Sequence, residues 1–541
     1  MTVALRTTRD LERLPQFDRW IAIGGIDASR ISLPAEQEMN GVSGLLEKAF
    51  TDIRTTWIRI GKQLSQHPGG RYSHAGACGS FGSDFGVMLA WGRIVGDCAK
   101  APSRTLVVCD DPWLFRHAAE LNGVLAGRPP SVISDTLKLT VRGFLSRLRV
   151  SLRCAWTAVG LRSARRAFPR GAASLLVYGH PASTAEGFDA YFGDLMTKLP
   201  ELRRVLHVDC GLARAREMGK HNRTHSLHGW GNPLFALFVL PWTYWRPRAS
   251  RELQNVRWLI RRSAVRENGG GGGAMSHWQM HCQRRWIKSA RPTAVAWPWE
   301  NFAWERDLVR ATRQNRVRTI GYQHTVIGPH QFNYSIECNA DGLYSVPDTV
   351  AANGPAYLAE MTQWGMPQER VVDAGAFRMK RPDRRQRYDP DGSVFMALSA
   401  VISTARRQLE VARKLAESGL EVLVKQHPMY PVPFSETDML QRTEKPLTEH
   451  SKLSTVIYAT GAMGLDARLL GLPSVRLRFP DAISIDVLPA HIENPVSDEF
   501  EILDFCLNPS QPELLNWDRL FSDVDYNKWR NLLTSVQNCS S

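Results

Sequence analysis

Across 541 residues the sequence has no CxxC pair among its nine cysteines, no apolar run long enough to span a bilayer, and no uninterrupted apolar segment near its start. Scattered cysteines argue against a disulfide framework and a zinc ribbon, and they fit a reducing compartment. The first twenty residues carry charges of both signs, unlike the apolar core of a secretory signal, so a cytoplasmic protein is expected. The longest apolar stretch, from Asn232 to Trp245, is too short for a transmembrane helix and contains Pro233 and Pro241. Acidic residues are missing altogether from 141–170, where eight arginines stand among Leu, Val, Phe and Trp at helical spacing. An exposed helix ordinarily mixes signs, so this basic amphipathic segment, one helix or two, points to an anionic membrane surface and a peripheral position on the inner face of the cell membrane. A solvated helical face or a linker is the plainer account. No helix-turn-helix, RNP-like or zinc-finger pattern accompanies the arginines, so nucleic acid is not the expected partner.

What is present is the composition of a folded chain: 43% apolar residues, 22% charged residues and 17 Trp. The length exceeds what one core organises, so two domains are expected. Lys and Arg number 68 against 53 Asp and Glu, and the resulting +15 favours an anionic partner. Short β-rich runs at 105–110 and 174–178 end in Asp110-Asp111-Pro112 and Gly179-His180-Pro181. From residue 292 onward, strand-like and helix-like stretches alternate through 292–324, 341–377 and 393–479, the signature of a doubly wound α/β fold that holds ligands at the carboxyl ends of its strands. The expected division is an N-terminal α/β domain over 1–345, a Rossmann-like domain over 346–510 and closing helices over 511–541. The first domain carries the basic helical insertion near 141–170 and a flexible glycine-rich loop over 268–274, whose spacing matches neither a P-loop nor a GxGxxG turn.

Several residues at these strand ends have the chemistry of a transferase site. Lys425-Gln426-His427-Pro428 closes a strand, where Lys425 can meet phosphate as a point charge and His427 can donate a hydrogen bond to a phosphate or a base edge. Pro428 ends the strand. Thr460-Gly461 lies between the next strand and a helix, a small hydroxyl-bearing loop suited to a phosphate. Glu300 follows Trp297-Pro298-Trp299, and apolar rings around a carboxylate raise its pKa toward acid/base work; an acid interacting with a helix dipole, with Asn301 as cap, is the alternative. His324 ends the returning strand and can contact a donor phosphate or an acceptor hydroxyl, or be a satisfied core histidine. Asp110 and Asp111 could supply a base, or merely turn chemistry, and Arg378 is a candidate phosphate partner. His277 and His281 stand at His-x3-His spacing, but no fourth ligand is well placed, so no metal is expected.

The run KQHP followed by TGAMGLDARLLGLPSV resembles the donor half of bacterial surface-polysaccharide glycosyltransferases of GT-B architecture, among them capsular Kdo transferases and bacterial sialyltransferases. The stretch PWENFAWERDLVRATRQNRVRTIGYQHT also resembles surface-carbohydrate biosynthesis proteins. The resemblance implies two Rossmann-like domains facing a cleft, a nucleotide-sugar donor bound without a metal cofactor, and a glycan or lipid-linked acceptor. It implies that His427 and Pro428 match a His-Pro motif that holds a CMP moiety. Thr460-Gly461 matches the later Ser-Ser/Thr motif only in part, with one hydroxyl missing. A CMP-activated 2-keto sugar is the donor this implies. Two other readings stand beside it: a polyol-phosphate transferase of teichoic-acid-like synthesis, and a non-catalytic membrane-associated assembly protein.

Overall fold

The computed structural model describes residues 2–534, apart from 25, 27–30, 79–81, 248–250, 383–387, 481, 485–487, 489–491 and 493. Three wholly parallel sheets organise these residues. The first has β1 (Val3–Arg6), β2 (Arg19–Ala22), β3 (Thr105–Val108) and β4 (Val124–Ala126) in the order β2-β3-β1-β4. The second has β5 (Ser174–Val177), β6 (Arg203–Leu206), β7 (Thr224–Ser226), β8 (Ala294–Pro298), β9 (Arg318–Tyr322), β10 (Thr349–Ala352) and β11 (Val371–Asp373), in the order β11-β10-β9-β8-β5-β6-β7. The third has β12 (Tyr388–Ala397), β13 (Val422–Lys425), β14 (Leu440–Thr443), β15 (Leu453–Tyr458), β16 (Ser474–Leu477) and β17 (Val496–Ser497), in the order β14-β13-β12-β15-β16-β17. The central strands read as continuous buried apolar runs such as TLVV, AVAWP and LSTVIY, because helices cover both faces of a parallel sheet.

The α/β class with Rossmann-like units is what the sequence led us to expect, and the two larger sheets supply the expected pair. The four-stranded sheet is an addition. The expected boundary at 345 falls inside the seven-stranded sheet, because β10 and β11 extend β9 on its outer side. The change of sheet comes between Asp373 and Tyr388. After β17 the chain returns: Trp517 and Leu520 pack with Val326, Tyr357 and Leu465, and the helix Tyr526–Thr534 buries Trp529 among Phe192, Tyr322 and Phe377 of the seven-stranded sheet. The last seven residues of the expected closing segment lie outside the described residues.

The outgoing and returning stretches touch each other. Ala376 N donates to Ser522 O at 2.9 Å, and the Ser522 hydroxyl donates to Asp373. Gly375 sits at φ +83, where a Cβ would lie 2.3 Å from Asp523 O, so only glycine fits that crossing.

The basic segment forms one helix, Val132–Leu161, followed by the short turn Ala164–Ala167. The glycine run is not a loose loop. It joins the helices Arg257–Asn268 and Gly272–Ala290 beneath the long helix, and a Cβ on Gly269 or Gly271 would come within 2.8 Å of Leu139 or Val150. Arg142 Nε donates to Gly269 O at 2.9 Å and Arg147 Nη1 to Asn268 O at 2.6 Å, so these glycines permit close helix packing.

Candidate functional site

In the seven-stranded sheet β5 lies between β6 and β8, so the loops after β5 and β8 leave in opposite directions and open a crevice at the carboxyl edge. Glu300, just past β8, stands there. Its backbone is fixed on both sides: Asn333 Nδ2 donates to Glu300 O at 2.8 Å, and Glu300 N donates to Glu305 Oε2 at 2.9 Å. Asn301 takes φ 59 and hydrogen bonds to Asn333 O and Asn339 rather than capping the helix Ala303–Gln314. Glu305 is fully buried and holds the Glu300 turn, in keeping with a structural part for it.

The Glu300 carboxylate is one-quarter exposed and lies 3.8 Å from His324 Nε2. Burial pushes Glu300 up to about 7, against the opposing pull of the Arg378 cation. Burial pushes His324 down to about 3, with the Arg378 charge in the same direction, so the imidazole is neutral beside the carboxyl group. The Tyr191 ring meets His324 edge-on at 5.3 Å and carries the Arg378 guanidinium 5.6 Å from its centroid. Tyr178, at the end of β5, packs between His207 and Trp304, and burial raises its phenol well above the ordinary range. The result is an aromatic-walled acid/base pair in a partly dry crevice.

The six-stranded sheet has the corresponding gap between β12 and β15. Ser399 and Thr460, just past these two strands, bring their hydroxyls to 2.7 Å. Ser399 is held by its own N–H donating to Gln408 Oε1 at 2.8 Å, while its Oγ accepts from Val401 N. A second hydroxyl therefore stands beside Thr460, supplied by the neighbouring strand. Past β13, Gln426 clamps the turn by donating to Val432 O at 2.7 Å and accepting from Val432 N at 2.6 Å. Within that turn Pro428 follows His427, whose ring stacks on Tyr430 at 5.5 Å.

Arg378 links the two edges. Its charge acts on Glu300, His324 and Tyr191 of one sheet and on His427 and Asp466 of the other. His427 is lowered by burial first, then by His180 and Arg378, which places the β5 loop and the β13 loop within electrostatic reach of each other. Burial raises the Asp466 carboxyl to about 6, opposed by Arg378. Gly461 takes φ +103 with open space around it.

Three expected site residues are otherwise engaged. Asp110 accepts from Thr8 N and Oγ1 at the edge of the four-stranded sheet. Asp111 caps the helix Pro112–Ala119 and pairs with the buried Arg262 at 2.6 Å, so both carboxylates are committed to structure. Lys425 donates to the backbone oxygens of Glu444 at 2.8 Å and Lys445 at 3.2 Å, bracing the loop after β14 instead of presenting its charge to the gap. His281 stacks on Phe235 at 3.9 Å and His277 bonds Thr243, and among the described residues no group of three His, Cys, Asp or Glu could hold a metal ion. Ser399, Asp466, His180 and Tyr191 were missed. Ser399 ends an apolar run, SVFMALS, and its position after a sheet's first strand was the available signal.

No family model matches the chain, and no curated protein does. Among solved structures, 63% of the chain is similar to 92% of the glycotransferase of kitacinnamycin, at 11% identity and a TM-score of 0.36. The same share is similar to 88% of a UDP-N-acetylglucosamine 2-epimerase, at 11% identity and a TM-score of 0.33. The glycosyltransferase SnogD from Streptomyces nogalater is similar over 62% of this chain and 91% of its own, at 12% identity and a TM-score of 0.33.

Proposed function

We propose that the chain is a glycosyltransferase that binds a nucleotide-activated sugar at the edge of the six-stranded sheet and deprotonates an acceptor hydroxyl at the edge of the seven-stranded sheet. The observation that carries this reading is the Glu300–His324 pair, 3.8 Å apart beside the Tyr191 ring on which the Arg378 guanidinium rests. Glu300 serves as the general base. A carboxyl raised to about 7 combines a useful ionised fraction with appreciable basicity at neutral pH. The neutral His324 orients the acceptor hydroxyl by hydrogen bonding. Arg378 and His427 neutralise the departing phosphate, while Ser399 and Thr460 offer hydroxyls to the nucleotide. No step here requires a metal.

The donor we propose is a CMP-linked 2-keto sugar, of Kdo or sialic type, transferred to a surface polysaccharide or lipid-linked glycan. Its support is the His427-Pro428 pattern followed by Thr460 with Ser399 beside it, together with the Arg378 cation, which suits a sugar carboxylate. The test is a thermal-shift panel of CMP, UMP, UDP and GDP with their sugars, since a ligand bound only by the folded state raises the melting temperature. Stabilisation by CMP and its sugars is the expected result, and it should shrink in His427→Ala. Stabilisation by UDP alone would replace the donor, and silence across the panel would sink the reading. Release of CMP with phosphorus retained in the product would identify polyol-phosphate transfer instead.

A further inference from the structure

One region apart from these strand ends carries a surface of its own. The helix Val132–Leu161 has thirty residues and is about 45 Å long at 1.5 Å per residue. One face is buried against the protein through Leu139, Gly143, Arg147, Ser151, Cys154 and Ala158. A different face exposes Ile133, Leu137, Val141, Leu145, Leu148, Leu152 and Trp156, at spacings of three and four residues that keep them in one stripe; Ile133 is 81% exposed and Trp156 72%. The stripe broadens sideways. The helix Pro233–Phe238 and the turn Leu240–Trp242 pack beside the long helix, with the Ser151 hydroxyl donating to Ala236 O and Phe144 meeting Trp242 at 5.6 Å. They leave Phe238 69% and Trp242 71% exposed. Thirteen of the twenty-three exposed large apolar side chains among the described residues lie on these two stretches, so the patch is one surface and not scattered exposure.

Charge runs alongside it. Lys138, Arg142, Arg149 and Arg153 each follow an apolar stripe residue by one position and therefore sit about 100° around the helix, forming a basic rail along one margin. Asp135 is the helix's one acidic residue. No helix among the described residues is long and apolar enough to cross a membrane.

We propose that this surface docks flat on an anionic phospholipid bilayer, with the stripe and Trp242 entering the acyl boundary and the basic rail meeting the headgroup phosphates. A protein core would bury the stripe without needing the rail. A second copy placed about a two-fold axis would set like charges in the same interface, which disfavours self-association through this face. An anionic bilayer satisfies both parts at once, because buried apolar area and electrostatic attraction add in such helices. The surface does not depend on the transferase reading above.

The experiment is co-sedimentation of the full chain with vesicles of phosphatidylcholine alone and of phosphatidylcholine mixed with phosphatidylglycerol, at low and high salt. Binding to the mixed vesicles, weakened by salt, is expected, with little binding to the neutral ones. Trp156→Glu combined with Phe238→Glu should weaken vesicle binding by at least about tenfold. Arg149→Glu with Arg153→Glu should remove the preference for anionic lipid. All these side chains are exposed, so the melting temperature should stay within a degree or two of the parent's, which separates lost docking from lost folding. Absence of binding to mixed vesicles would overturn the proposal, as would undiminished binding in the Trp156/Phe238 variant. So would concentration-dependent dimerisation of the parent that this variant abolishes.

Discussion

The carboxyl edges of the seven-stranded and six-stranded sheets share a design and differ in chemistry. In each, a gap opens where strands later in the chain add to both sides of the earliest one. At the first edge, burial among aromatic rings displaces the titrations of Glu300, His324 and Tyr178. At the second, neutral hydroxyls and a clamped histidine turn face the gap. A dry wall tunes proton affinity, whereas a polar, pre-ordered wall recognises without reacting. The transfer proposed above would use the first edge for the acceptor and the second for the donor.

The contrast breaks most sharply at Glu300. Glu300→Gln should cut turnover by about a hundred- to ten-thousand-fold while donor affinity, read by calorimetry, stays unchanged. In the parent, turnover should rise with pH through about 7 as this carboxyl loses its proton. The same shift has a folding consequence. Because the folded-state value lies above the ordinary 4.5, the group's stabilising contribution is complete below that value and is lost as pH rises through about 7. Glu300→Gln should therefore melt higher than the parent at pH 8 and nearly together with it at pH 4.

Arg378→Ala should act on both edges. Donor affinity should fall by about ten- to a hundredfold, and the pH–rate profile should move to higher pH, because the cation that restrains Glu300 is gone. His427→Ala should weaken donor binding about tenfold and leave the pH–rate profile in place. Ser399→Ala should cost about fivefold in donor affinity and about 1 kcal/mol of stability by denaturant titration. Smallest of all, Lys425→Ala should leave donor affinity unchanged, since its ammonium is bound to two backbone oxygens. A large loss there would mean that the donor edge lies further toward β14.

What the sequence could disclose tracks how local the determining physics is. Buried central strands such as β5, β8, β9, β13 and β15 are apolar runs that need no partner to be recognised. RRVL and LQRT are not, for their strand character comes from neighbours that accept their backbone bonds and, for Arg204, from the buried Asp189 that pairs with it. The site divides in the same way. Glu300 announced itself by its flanking tryptophans. Ser399 is 61 residues from the Thr460 hydroxyl it meets, and Asp111 is 151 residues from the arginine that engages it, so only the assembled topology brings these partners together.

The paired crossings at Gly375 and Ser522 have a mechanical meaning. Covalently, the six-stranded sheet is tethered to the seven-stranded sheet by two neighbouring cords, fastened side by side where Ala376 meets Ser522. Two attachments side by side fix the line along which the chain passes from one sheet to the other and back. Arg378 sits three residues beyond Gly375, so the guanidinium that rests on the Tyr191 ring leaves the chain beside this fastening.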